Sequence, residues 1–77
     1  MKVRTIRRHK SMPRHARWIA TDGNCPISPR GTYAFRTKPA LAATLECWTG
    51  FHIGRVHIPG RIVKDWRKSL RRIVGKA

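Results

Sequence analysis

Asp22, Glu46 and Asp65 are the only carboxylates in this 77-residue chain. No two are spaced to work as a general acid and base from one short element, and no G-x-S-x-G, Walker A or other glycine-rich phosphate loop occurs. The chain is therefore not expected to be an enzyme. Cys25, Cys47, His52 and His57 offer ligand atoms that zinc accepts, at spacings of 22, 5 and 5 residues. Those spacings contain neither a short pair of cysteines nor a helical pair of histidines that would preset a tetrahedron. The expectation is no metal and no cofactor, with Cys47 buried and the histidines on the surface.

The other abundant chemistry is cationic. Eighteen Lys and Arg against three acids give a formal charge of +15. Residues 1–20 hold seven cations and residues 61–77 another seven, leaving four for the middle forty. Solubility needs a net charge of only about 2–8 in a small domain, so this excess points to a polyanionic partner. At this length a single small core is expected, with function on the outside. No segment approaches the roughly 18 consecutive apolar residues of a membrane span, and no apolar signal core follows the N-terminus. A cytoplasmic monomer is expected, with both cysteines as free thiols.

These charges need elements to position them. Residues 1–17 contain Val3 and Ile6 as their only branched apolar residues, and they predict a flexible basic arm. Its site candidates are Arg4, Arg7, Arg8, Lys10, Arg14 and Arg17. In composition the segment is similar to the Arg-rich arms of short phage antitermination proteins and to the basic tails of small ribosomal proteins. A single small domain over 18–77 follows. Trp18 to Ala20 reads as a short edge strand, with Trp18 anchoring the rim of the core. Asp22-Gly23-Asn24 predicts a turn, and the prolines of Cys25 to Gly31 predict an irregular loop.

From 32 to 37, Tyr33 and Phe35 alternate with smaller or polar residues, as in a half-buried strand. Residues 42–48 and 51–58, separated by Thr49-Gly50, read as a β-hairpin. The apolar residues Phe51, Ile53, Val56 and Ile58 slip register once, which predicts a bulge at Gly54-Arg55 opposite 42–48. It would put those four on the core face, with His52, Arg55 and His57 outward.

Between Gly60 and Ala77, the residues Ile62, Val63, Trp66, Leu70, Ile73 and Val74 fall within an arc of about 120° at helical pitch, which predicts an amphipathic helix. Its outer face would carry Lys64, Arg67, Lys68, Arg71 and Arg72. The fold expected is α+β: a three-stranded antiparallel meander packed on a C-terminal helix, preceded by the arm.

The function expected is a small regulator binding nucleic acid through the arm, the helix and Arg55. RNA is favoured, because a flexible Arg-rich arm suits irregular shapes. The alternative is a phage-type modulator docking on an acidic surface of a host protein such as RNA polymerase, in transcription regulation or antitermination. A ribosomal structural role is third.

Overall fold

The computed structural model describes residues 4–23, 31–42, 44 and 46–75. Among the described residues, seven short strands carry most of the regular structure: β1 (Thr5–Arg7), β2 (Trp18–Thr21), β3 (Thr32–Phe35), β4 (Ala40–Ala42), β5 (Cys47–Thr49), β6 (His52–Val56) and β7 (Arg71–Val74). Five form one sheet in the order β1-β7-β2-β3-β6, and β4 and β5 form a separate two-stranded ribbon. β1 and β7 run parallel, with Ile6 opposite Ile73, and every other pairing is antiparallel.

The expected C-terminal helix is not formed: no helix of seven or more residues occurs among the described residues, only a 3₁₀ turn at Trp66–Lys68. Lys64, Lys68 and Arg72 would repel one another at i,i+4, and a helix of this length is marginal in water without strong packing. The β-branched Ile73 and Val74 instead complete the sheet: both pair with β1, and Ile73 N–H also donates to Arg17 O at 2.8 Å on the β2 side. Ile62, on the supposed apolar stripe, is 81% exposed.

The arm is also corrected. Thr5–Arg7 is an edge strand, and residues 8–16 fold back over the sheet. Val3 lies outside the described residues, so Ile6 shows how the pattern misleads. One isoleucine beside Ile73 is enough when the neighbouring strand supplies the rest of the core.

Register partners share a face of the sheet, which gives it two apolar sides. On the first, Ile73, Ile19, Ala34 and Val56 form a core that Met12 and Ala16 close, with Ile6 and Ile58 at its margin. On the second, Ala20, Tyr33 and Phe35 pack with Trp18, Trp48 and Leu70. The β4–β5 ribbon is tied to this side by Gly23 N–H donating to Glu46 O at 2.8 Å and Trp48 N–H donating to Asp22 Oδ1 at 2.8 Å. β3 is thus covered on both faces rather than half-buried, and Trp18 begins a central strand rather than an edge.

The meander is corrected too, since β3 pairs directly with β6 and the segment 42–48 breaks into two strands around Glu46, which holds a positive φ of 53°. The register slip in β6 is present, but against β3. Ala34 pairs with Gly54 and Phe35 with His52, leaving Ile53 as the extra residue. Gly54 itself admits a close neighbour, because a Cβ there would stand 3.0 Å from Pro13 Cγ. Phe51 and Ile53 are exposed, so the four-residue core face expected on this strand reduces to Val56 with Ile58 beside it.

Where β2 loses its partner beyond Arg71, a side chain takes over the ladder. Thr21 N–H donates to Ser69 Oγ at 2.8 Å, and the same hydroxyl lies 2.6 Å from Trp66 O as a donor. Ser69 is buried, so Ser69→Ala leaves a buried N–H and a carbonyl without this partner. The expected loss is about 1–3 kcal/mol, read as a lower urea midpoint at unchanged slope; an unmoved midpoint would show that water replaces the hydroxyl.

Candidate nucleic-acid interface

The parallel pairing of β1 with β7 brings the two basic ends of the sequence together. Arg72 N–H donates to Arg4 O at 2.9 Å and Arg8 N–H donates to Val74 O at 2.9 Å, so Arg4 meets Arg72 at one end of the pair and Arg8 is held beside the end of β7 at the other.

At the leading end, Arg4, Arg61, Arg71, Lys64 and Lys68 line a cleft of about 280 Å³ whose one carboxylate is Asp65. Asp65 Oδ1 accepts the Arg67 N–H at 3.1 Å as the cap of the 3₁₀ turn. Backbone carbonyls orient two of the guanidiniums. Arg71 Nη1 donates to Lys68 O at 2.6 Å and to Leu70 O at 2.8 Å, and Arg61 Nη2 donates to Ser69 O at 3.3 Å. Burial, and after it the charge of Arg4, pulls Arg71 below the ordinary arginine range; burial, and after it Arg71, does the same to Arg61. Both remain cations at neutral pH, and both would be stabilised by an anion in the cleft.

At the trailing end, Arg8, Arg14, His15, Arg17 and Arg36 line a second cleft of about 310 Å³. Arg8 has a structural part here. Its guanidinium donates to Ala16 O at 2.9 Å, and more loosely to Pro13 O and Gly75 O at 3.4 Å each, and so holds the covering loop against the end of β7. Arg14, Arg17 and Arg36 are exposed.

Between the clefts, the second face of β1 and β7 is open. Thr5, Arg7, Arg72 and Val74 are exposed there, and the register sets Arg72 beside Trp18. The Lys38 ammonium stands 5.8 Å from the centre of the Trp18 ring. Trp18 is half-buried, one side packed with the second core.

Of the arginines and lysines expected to act, Arg4, Lys64, Lys68 and Arg71 are brought together, as are Arg8, Arg14 and Arg17, while Arg7 and Arg72 share the open face. Lys10 is exposed on the turn after β1, Arg67 stacks 5.6 Å from the Trp66 ring, and Arg55 belongs to a third hollow on the far edge with His57 and Arg61. Sequence reasoning passes over Arg36, Lys38 and Arg61, which only the topology brings to the clefts and to Trp18.

For metal chemistry, Cys25 lies outside the described residues. Cys47 is buried in β5, and the His52 ring lies 4.8 Å from that of Tyr33. Among the described residues no group of three or more His, Cys, Asp or Glu could hold an ion. None of their helices is long and apolar enough to cross a membrane.

Comparison with protein-family models, with curated proteins and with solved structures finds no match for this chain.

Proposed function

We propose that this protein is a small, non-enzymatic nucleic-acid-binding regulator of the cytoplasm, gripping phosphates with the two arginine clefts at the ends of β1 and β7. The observation that carries this reading is the crowding of Arg4, Arg61 and Arg71 beside Lys64 and Lys68 in one cleft. Like charges held together at the expense of their own solvation are best accounted for by an anionic partner, and phosphate suits the planar guanidinium fork. Phosphate contacts fix position and carry no sequence information, so the reading is of affinity rather than of a sequence code.

A second reading is favoured by Phe51 and Ile62, large apolar side chains 87% and 81% exposed. Ile62 lines the leading cleft among its cations, and exposed apolar side chains on so basic a chain suit docking on an acidic protein surface, that of RNA polymerase or another nucleic-acid machine being the natural kind.

The test uses purified protein stripped of copurified nucleic acid, titrated by fluorescence anisotropy into labelled RNA and DNA at low ionic strength. Saturable binding that weakens steeply with salt is expected. No salt-dependent binding to any of them would overturn the proposal. A protein complex surviving nuclease treatment at about 150 mM salt would then favour the docking reading.

A further inference from the structure

The open face between the clefts has a composition that phosphate binding alone does not call for. Resting on the nucleic-acid reading above, we propose that the partner is single-stranded, and that an unpaired base stacks on Trp18 while Arg7, Arg72 and Lys38 hold the phosphates on either side of it.

Trp18 occupies the boundary between the covered and the open half of the second sheet face. Its inner side packs with the core of Ala20, Tyr33 and Phe35, which fixes the ring and removes most of the ordering cost of stacking. Its neighbours on the open side are Arg72 across the ladder and, one strand further, Thr5 opposite Arg72. Arg7 follows on the same face, opposite Val74. The group found over the indole is the ammonium of Lys38, an exposed side chain on a flexible stem. A base entering there takes the place of a movable cation, and that cation remains within reach of the adjoining phosphate.

A flat sheet surface bearing a fixed aromatic ring among cations suits splayed bases, because every base has a π face and stacking needs no particular sequence. A paired base inside a duplex has both faces occupied. Nor does this chain present, among its described residues, a helix of the length that enters a major groove. Arg17, next in sequence to Trp18, leads into the trailing cleft, so a strand leaving the ring meets further arginines.

The experiment compares 12-nucleotide oligo(dT) and oligo(U) with a 12-base-pair duplex, for wild type, Trp18→Leu and Trp18→Phe, each checked for a cooperative thermal transition by far-ultraviolet circular dichroism. Wild type is expected to prefer the single strands. Trp18→Leu should lose roughly 5- to 150-fold in single-strand affinity, the range for one stacked base, with duplex affinity unchanged; Trp18→Phe should restore most of the loss. As a second readout that needs no variant, 5-bromouracil placed in the oligonucleotide should photocrosslink wild type at Trp18. Equal single-strand binding by Trp18→Leu, equal losses on single strand and duplex, or crosslinks only at other residues would each overturn the stacking proposal while leaving phosphate binding intact. Failure of wild type to bind any of the three oligonucleotides would remove the nucleic-acid reading itself.

Discussion

A chain lacking residues 1–14 is expected to have no cooperative thermal transition. The deletion removes β1, and with it the parallel ladder to β7 and Ile6 from the margin of the first core. It also removes Met12, a buried member of that core, and Pro13, which rests on Gly54. Arg8 no longer ties the chain to Ala16 and Gly75, and Ser11 Oγ no longer donates to His57 O at 2.8 Å. Losing a buried Met or Ile side chain costs roughly 2–5 kcal/mol even when the backbone stays in place. The whole stability of a chain this long is only roughly 4–12 kcal/mol. Thermal melting followed by near-ultraviolet circular dichroism decides the matter. A sharp transition in the truncated chain would mean that the basic segment is a detachable arm after all.

That expectation reverses the one composition suggests, and the reversal shows what the sequence could and could not convey. Local alternation was sufficient for β3, where Tyr33 and Phe35 bracket Ala34, and the slip in apolar spacing around Gly54 did mark an irregular strand. What stayed hidden was the choice of partner. β1 finds β7 across almost the full length of the chain, and no local pattern in Thr5–Arg7 announces that pairing. The stretch 60–77 is instructive because its helical period is real. Residues repeating every three to four positions satisfy a helix, yet Ile73 and Val74 are β-branched and equally suit a strand, and a sheet short of a central strand outweighs a helix carrying like charges at i,i+4. For the site, the concentration of cations at the two ends was plain. That the ends meet, putting Arg4 beside Arg71, followed only from the topology, as did the recruitment of Arg36, Lys38 and Arg61.

The clefts make a quantitative demand on binding that a general positive charge does not. Glutamine at Arg4, Lys64 and Lys68 removes three exposed cations from the leading cleft, and glutamine at Arg14, Arg17 and Arg36 removes three from the trailing one. None of the six is buried, so each triple variant should fold as wild type does. For a single-stranded ligand, the plot of log affinity against log salt becomes shallower by about 0.7 for each phosphate no longer neutralised. Releasing three phosphates would flatten it by about 2. Between 50 and 200 mM salt, wild type would then lose roughly 20-fold more affinity than either variant. The control removes the same charge from Lys10, Arg55 and Arg67, none of which lines either cleft. If phosphates sit in the clefts, the control keeps nearly the wild-type slope. If the protein is held only by its overall field, all three triple variants flatten alike, and the assignment of the clefts is lost even though binding to nucleic acid survives.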